Sequence, residues 1–428
     1  MESVLHNHLK ESPQMKPSRT CITLLLIVVL VAVLAVSATL ASVTVSVKIP
    51  STGSVSTTSS SPYNVTANSL SLADVQAAVN SVHAHGKGTV SLPAGVGVWN
   101  PASFTGGIGL TSYGGVNIIG AGIGKTIIEQ TPANYLSAFT MIQADGSNGY
   151  PYIIANFTLQ GYASSNDNIG TTGVYLWDST DYRVCYMHVD NFTNGDIVAC
   201  QIGGYLNRGL VDHCNITQTY GATNQTKMWG YGTIVWDENT AAWSSASSVI
   251  GQYGQDTMII ENCTFEYCRH CCDASQNGYF VARFCTFQNE VPENFGMVDF
   301  HCSGRGFEVY NCTFDGWGAN GQGVWQRGGI GTVFNNTFNN CATGVALIEQ
   351  STIPGQSGWS QTAGTYADQI NDTYVWNNTM VNSPSGAVAF SYATQTSVTD
   401  TQNVNYFLSA RPNYTPLAYP FYLDVPLG

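Results

Sequence analysis

The stretch Val309-Tyr-Asn-Cys-Thr-Phe314 is followed 24 residues later by Val333-Phe-Asn-Asn-Thr-Phe338. The same line stands upstream as Ile154-Ala-Asn-Phe-Thr-Leu159, Val211-Asp-His-Cys-Asn-Ile216, Ile260-Glu-Asn-Cys-Thr-Phe265 and Ala282-Arg-Phe-Cys-Thr-Phe287. It recurs downstream as Val375-Trp-Asn-Asn-Thr-Met380. The fourth positions fall at 157, 214, 263, 285, 312, 336 and 378, so spacings of 22, 27 and 24 are single turns and 49 and 42 are about two. A period of this size marks a solenoid. Each unit holds short β-rich runs separated by turn residues, such as Gly323-Val-Trp-Gln, Gly328-Gly329 and then Ile330–Asn336. None has room for a helix of about 10–12 residues, which excludes helical repeats and horseshoes with a helix per repeat. Three short strands per turn give a parallel β-helix. Asn suits the corner because it tolerates the left-handed conformation of a tight turn. The flanking Val and Phe point inward and stack one rung away, about 4.8 Å off.

Composition agrees. Of 428 residues, 14 are Lys or Arg and 27 are Asp or Glu, so 10% are charged, and 44 are Gly. Stacked rungs set like beside like, and charged columns would repel. The low charge and 44% hydrophobic content exclude a coiled coil and a disordered chain. A net charge of −13 argues against a nucleic-acid partner. Residues 1–48 carry +2, which leaves −15 on the remainder.

The amino terminus sets the compartment. Residues 1–20 are polar, with Lys16 and Arg19 just before 26 uncharged residues from Ile22 to Val47. That length spans a bilayer, which needs about 20 residues, with the amino terminus inside. The competing reading is a cleaved signal peptide with its cut near Ala38 or Ala41. Either way the rest of the chain is exported. The expected organisation is a cytoplasmic tail over 1–20, a transmembrane helix or signal anchor over 21–47, a Ser/Thr stalk over 48–68, a β-helix over 69–395 and an irregular cap over 396–428. Ser71-Leu-Ala-Asp74 is a capping-box-like start for a short helix to about Val82, covering the first rung. The aromatic tail is expected to close the other end.

Eleven Cys follow the apolar segment, an odd number that fits an oxidising compartment with some of them paired. Cys214, Cys263, Cys285 and Cys312 share one column, so Cys263–Cys285 or Cys285–Cys312 is within disulfide reach; the alternative is small apolar core residues. Eleven Asn-X-Thr sequons, at Asn64, Asn156, Asn191, Asn215, Asn224, Asn262, Asn311, Asn335, Asn371, Asn377 and Asn413, reflect the repeat at least as much as glycosylation.

Ala73-Asp-Val-Gln-Ala-Ala-Val-Asn with Gly88-Thr-Val-Ser-Leu-Pro-Ala-Gly95, and Val116-Asn-Ile-Ile-Gly-Ala-Gly-Ile-Gly-Lys-Thr-Ile-Ile128, resemble the entry segment and first full turn of the pectin-lyase-like, right-handed parallel β-helix proteins. Within that superfamily the chain resembles exported β-helix proteins of poorly defined activity. The resemblance rests on Val211-Asp-His-Cys214, Asp273-Ala, Arg283, His301, Glu308-Val-Tyr-Asn311, Arg327-Gly-Gly329 and Tyr414-Thr-Pro with Tyr419-Pro420, over about residues 72–422. It implies an all-β, single-stranded right-handed parallel β-helix. It leaves function open, because the superfamily includes hydrolases, lyases, esterases, adhesins and structural proteins.

The candidate chemistry lies in the rungs from about 230 to 350. Counted from the residue opening each unit, Asp273, Asp299 and Gln326 share one offset; Asp237, His301 and Glu349 lie two further on, with Arg327 between. Stacking brings Asp273 and Asp299 within one or two strand spacings, a carboxylate pair of the kind that divides acid and base roles in glycosidases. His301 serves as a base, and Arg305 or Arg327 stabilises developing negative charge. Trp236, Phe300 and Trp325 offer sugar-stacking faces, and Asp237, Gln326 and Glu349 polar contacts. A one-residue slip would send a side chain to the opposite face, and Asp273, Glu308 and Arg327 would then form a polar ladder that fixes register. The Asp-Asp and Gly-His-Gly pattern of polygalacturonases and the basic set of pectate lyases are missing. Gly120-Ala-Gly-Ile-Gly-Lys-Thr126 has the wrong spacing for a phosphate loop. Cys268-Arg-His-Cys-Cys272 is one CxxC without a second ligand pair, so a disulfide is preferred to a metal there. Calcium between rungs is the one cofactor entertained, though no run has the spacing of a calcium loop. The expected function is an exported, membrane-anchored protein that binds and cleaves a polysaccharide or cell-surface glycan, as a glycoside hydrolase or lyase; the alternative is a non-catalytic surface protein or adhesin.

Overall fold

The computed structural model describes residues 63–131, 138–162, 170–201, 208–218, 230–237, 250–251, 257–275, 278–288, 296–301, 304–316, 321–350 and 369–418. The apolar run 22–47, most of the stalk, and Tyr419-Pro420 lie outside them. Among the described residues no helix is long and apolar enough to cross a membrane.

The chain coils through three parallel sheets, each strand pairing with the strand three further along. The first sheet has twelve strands, from Tyr63–Thr66 to Tyr406–Leu408. The second has ten, from Gly95–Trp99 to Thr379–Val381, and the third ten, from Ile108–Tyr113 to Val388–Thr394. This is a parallel β-helix, right-handed as parallel crossovers within a sheet are. Strands of the first sheet lie beyond both ends of the expected 69–395. One helix, Leu72–Ala84, starts at Ser71, whose hydroxyl accepts from the Asp74 amide, and buries Val75, Ala78, Val79 and Val82 over the first turn. That apolar stripe covers backbone groups an open solenoid would expose.

The repeated line lies at the corner between the first and second sheets. Asn156, Asn262, Asn311, Asn335 and Asn377 have φ between 51° and 64°, the left-handed geometry Asn tolerates. The Thr two residues on from Asn262, Asn311, Asn335 and Asn377 opens a strand of the second sheet, so at these positions the sequon coincides with the corner. Inside, Phe265, Phe287, Phe314 and Phe338 form a stack with centroids 5.2, 4.7 and 4.8 Å apart. These rings require glycine opposite them. A Cβ on Gly323 would stand 2.3 Å from the Phe338 ring and from the Gly344 carbonyl oxygen. Gly323→Ala is therefore expected to cost about 1–3 kcal/mol by overpacking, read as a lowered melting temperature.

All nine described cysteines are buried thiols rather than disulfides. In the Cys214–Cys312 column each Sγ points at a carbonyl of the preceding rung, as Cys263 does at Val211 and Cys285 at Ile260. The column continues as Asn336 and Asn378, whose amides donate to Val309 and Val333 carbonyls at 2.9 and 2.8 Å.

The described part of the tail runs along the side of the coil. Tyr414 and Leu417 lie back on the outer face of the first sheet, against a cluster that includes Tyr310, Phe334 and Trp376. Arg283, fully buried there, donates to Glu261, to the Tyr310 hydroxyl at 2.8 Å, and to the Leu417 and Ala418 carbonyls at 2.6 and 2.8 Å. Glu308 accepts from the hydroxyls of Tyr279 and Tyr414. Glu308 and Arg283 thus serve as a clasp for the tail.

Candidate functional site

Four adjacent strands of the third sheet carry the polar cluster: Tyr231–Asp237, His270–Ala274, Val298–Phe300 and Gln322–Gln326. Their register pairs Asp273 with Asp299 and Asp299 with Trp325. The two carboxylates are therefore neighbours on one face of adjacent strands. Gln326 pairs with Phe300 and Ala274 instead, one residue away from its expected column. Period-two alternation turns that slip into a change of face. Gln326 is fully buried inside the coil, with its amide nitrogen on the Gly328 and Gly329 carbonyls and the Thr373 hydroxyl.

The other expected residues divide the same way. Phe300 points into the core between Phe280 and Phe307, at centroid distances of 6.2 and 4.8 Å, rather than offering a face to a sugar. Glu349 is fully buried and accepts from the Ile370 amide at 2.9 Å. Arg305 is buried with its guanidinium 4.8 Å from the Tyr279 ring, on the side of the first sheet. Trp236 and Trp325 are half-buried, and the Arg327 guanidinium lies 5.6 Å from the Trp325 ring. Asp237 ends its strand, and its side chain lies outside the described residues.

Brought together are Asp273, Asp299, His301 and Arg327. His301 bridges the carboxylates: Nδ1 is 3.7 Å from Asp273 Oδ2, and Nε2 is 3.6 Å from Asp299 Oδ2. Arg327 Nη2 donates to Asp299 Oδ2. Asp273 and Asp299 are buried, while His301 is 28% exposed and is the opening of the cluster to solvent. Oδ1 of each carboxylate is buried without a hydrogen-bond partner among the described residues.

Sequence reading missed His270. Its Nε2 stands 3.3 Å from Asp299 Oδ2, and its ring is 5.1 Å from that of Tyr231. The signal was present in Cys268-Arg-His-Cys-Cys272, where the cysteines drew attention. Cys268, Cys271 and Cys272 all join the core, whereas the histidine joins the polar face. Consecutive Cys271 and Cys272 both turn inward, so alternation fails between His270 and Asp273.

The environment separates the ionisable groups. Burial opposes ionisation of Asp299, but His270, Arg327 and His301 outweigh it and hold the carboxyl well below the usual range. Burial pushes Asp273 up to about 6, partly offset by His301 and reinforced by Asp299. Burial lowers His270 to about 3 against the pull of Asp299. For His301, Asp273 and Asp299 outweigh burial and raise it. One carboxylate is a fixed anion, and the other shares its surroundings with a protonatable imidazole.

A separate pH dependence arises beside Glu349. Burial first, opposed by Gln369 and reinforced by Glu349, pushes Asp400 up to about 7. The folded state then binds a proton that the unfolded chain releases at lower pH. This contribution is whole below the unfolded value of 3.8 and lost as pH rises through about 7. The last turns are expected to exchange amide hydrogens faster above neutrality, and Asp400→Asn to flatten the pH profile; an unchanged slope would exclude this origin.

Fold and cluster together define a parallel β-helix with a buried Asp/His/Arg group on one face of its third sheet. No family model matches the chain, and no curated protein matches it. Among solved structures it is similar to the A-module of a mannuronan C-5 epimerase from Azotobacter vinelandii, at 14% identity and a TM-score of 0.47, covering 81% of this chain and 95% of that one. It is also similar to a tailspike protein mutant of E. coli bacteriophage HK620 in complex with a pentasaccharide, at 12% identity and 0.44, covering 79% and 63%. An alginate lyase from a Paenibacillus species matches at 14% identity and 0.32, covering 77% and 97%. At such identities and scores the likeness concerns the fold and decides nothing about activity.

Proposed function

We propose that this chain is an exported protein that binds a polysaccharide along the outer face of its third sheet and cleaves it at the Asp273, Asp299, His301 and Arg327 cluster. The observation that carries the reading is the placement of His301 between two carboxylates at the solvent edge of the cluster, with Arg327 alongside. His301 moves the proton, Asp273 orients its Nδ1, and the Asp299–Arg327 pair supplies fixed charge to a developing anion or oxocarbenium centre. Asp299 is faced by side chains, which distinguishes the cluster from a ladder of carboxylates tied only to backbone amides. Trp325 and Trp236 serve as half-buried contact faces for sugar rings.

Export rests on the apolar run 22–47, retained as a membrane anchor in this reading and followed by a Ser/Thr-rich segment. With −15 beyond residue 48, a neutral glycan is the favoured partner, and a polyuronate meets repulsion except near Arg327. A glycan array, followed by reducing-end and unsaturated-product assays on the polysaccharides bound, tests the reading. Release of sugar ends that stops in His301→Gln supports it; binding with no bond cleavage on any bound polysaccharide leaves the non-catalytic surface role instead.

A further inference from the structure

The two imidazoles of the cluster are oriented alike. His270 Nδ1 lies 3.0 Å from the Gly296 carbonyl oxygen, and His301 Nδ1 faces Asp273 Oδ2. A carbonyl oxygen only accepts, so a proton on His270 sits on Nδ1 and the neutral ring keeps a lone pair on Nε2. That lone pair faces Asp299 Oδ2 at 3.3 Å, and His301 Nε2 faces the same oxygen at 3.6 Å. Both separations exceed the roughly 2.7–3.2 Å of an N–H···O bond. They suit ligands that share an ion: bonds of about 2.0–2.2 Å in a tetrahedron set neighbouring ligand atoms about 3.4 Å apart. One ligand atom from each of His270, Asp299 and His301 lies within 4.8 Å of the others. Asp299 is fully buried, and its Oδ1 has no hydrogen-bond partner among the described residues.

We infer that His270 Nε2, His301 Nε2 and the Asp299 carboxylate form a site for one divalent transition-metal ion, with the Gly296 carbonyl and Asp273 behind the two imidazoles. For His270, the Gly296 carbonyl on the far nitrogen is the outer-shell pattern of metal-bound histidine, and for His301 the far nitrogen faces Asp273 at 3.7 Å. Two imidazoles and one carboxylate select zinc, cobalt, nickel, manganese or iron over calcium, which takes oxygen ligands. Three protein ligands leave a coordination position open, on the side where His301 meets solvent. Arg327 shares Asp299 with the ion, since a carboxylate offers about four lone-pair positions, but its charge opposes the ion's. With the ion bound, His301 Nε2 is a ligand and does not carry the proton, so metal binding is read separately from glycan cleavage by the same cluster.

The test is a titration of the full-length chain, stripped with a chelator, with Co²⁺, Zn²⁺ and Ca²⁺, followed by calorimetry and visible absorption. The expected result is one Co²⁺ or Zn²⁺ per chain, with Co²⁺ d–d bands, no thiolate charge-transfer band, and Ca²⁺ failing to compete. His301→Gln weakens binding by more than about tenfold, Asp273→Asn by roughly 10–100-fold, and Arg327→Met tightens it. His301 is the ligand nearest solvent, so its variant serves if His270→Gln fails to fold. Binding unchanged in His301→Gln, a thiolate band reporting Cys268, Cys271 or Cys272, or no binding of Co²⁺ and Zn²⁺ overturns the inference.

Discussion

Arg283→Met is expected to destabilise the coil by about 3–5 kcal/mol, because it leaves a buried carboxylate without its counter-charge. Glu261 is 2% exposed and receives Arg283 Nε at 2.8 Å together with Nη2. The same guanidinium holds Leu417 and Ala418, so the variant loses the tail as well as the ion pair. Against a typical total of about 5–15 kcal/mol this is a large fraction. Two readouts separate the effects: the melting temperature reports the buried charge, and limited proteolysis near residue 418 reports the tail. The double variant Arg283→Met with Glu261→Gln should recover much of the melting temperature and leave the tail loose. Equal melting temperatures for the single and double variants would show that the lone carboxylate is not the cause.

Asp299→Asn is expected to lower glycan processing by roughly 100- to 10,000-fold, while the affinity for the intact polysaccharide changes little. The amide keeps the shape but removes the anion that Arg327, His270 and His301 all face. His301 loses one of the two negative charges that raise it, and Arg327 loses its anchor. In the proposed reading the sugar is held mainly by Trp236 and Trp325, so the loss should fall on turnover. The check compares rate and binding for the same array-positive polysaccharide, with circular dichroism to establish the fold. A variant that keeps its full rate would remove Asp299 from the mechanism.

Much of the architecture was legible in one dimension because a solenoid is nearly one-dimensional: each rung touches its neighbours, so period, corner residue and core residue recur together. The Asn corners and the Phe stack follow directly from the repeated line. The site was less legible. The Asp273–Asp299 pairing was readable because each aspartate stands three residues after the residue opening its unit, His270 and Gly296. Gln326 and Glu349 were misplaced because the opening glycine does not fix register to within one residue, and Phe300 because it follows Asp299 on the same strand and alternation turns it inward. His270 was hidden by the irregular Cys271-Cys272 pair. The tail clasp was hidden altogether, because Arg283 and Leu417 stand 134 residues apart.

What the amino-acid order determined by itself is the coil: its period, its turns, its low charge and the column of small thiols. Backbone geometry and local packing set those, and both repeat with the chain. What only the tertiary structure decided is which of the few charged residues meet. Asp273, Asp299 and Arg327 converge with His270 and His301 on one face, and Arg283, Glu261 and Glu308 form a clasp for the tail. Convergence depends on register and on loops of unequal length, whose effects are not periodic and do not appear in any single repeat.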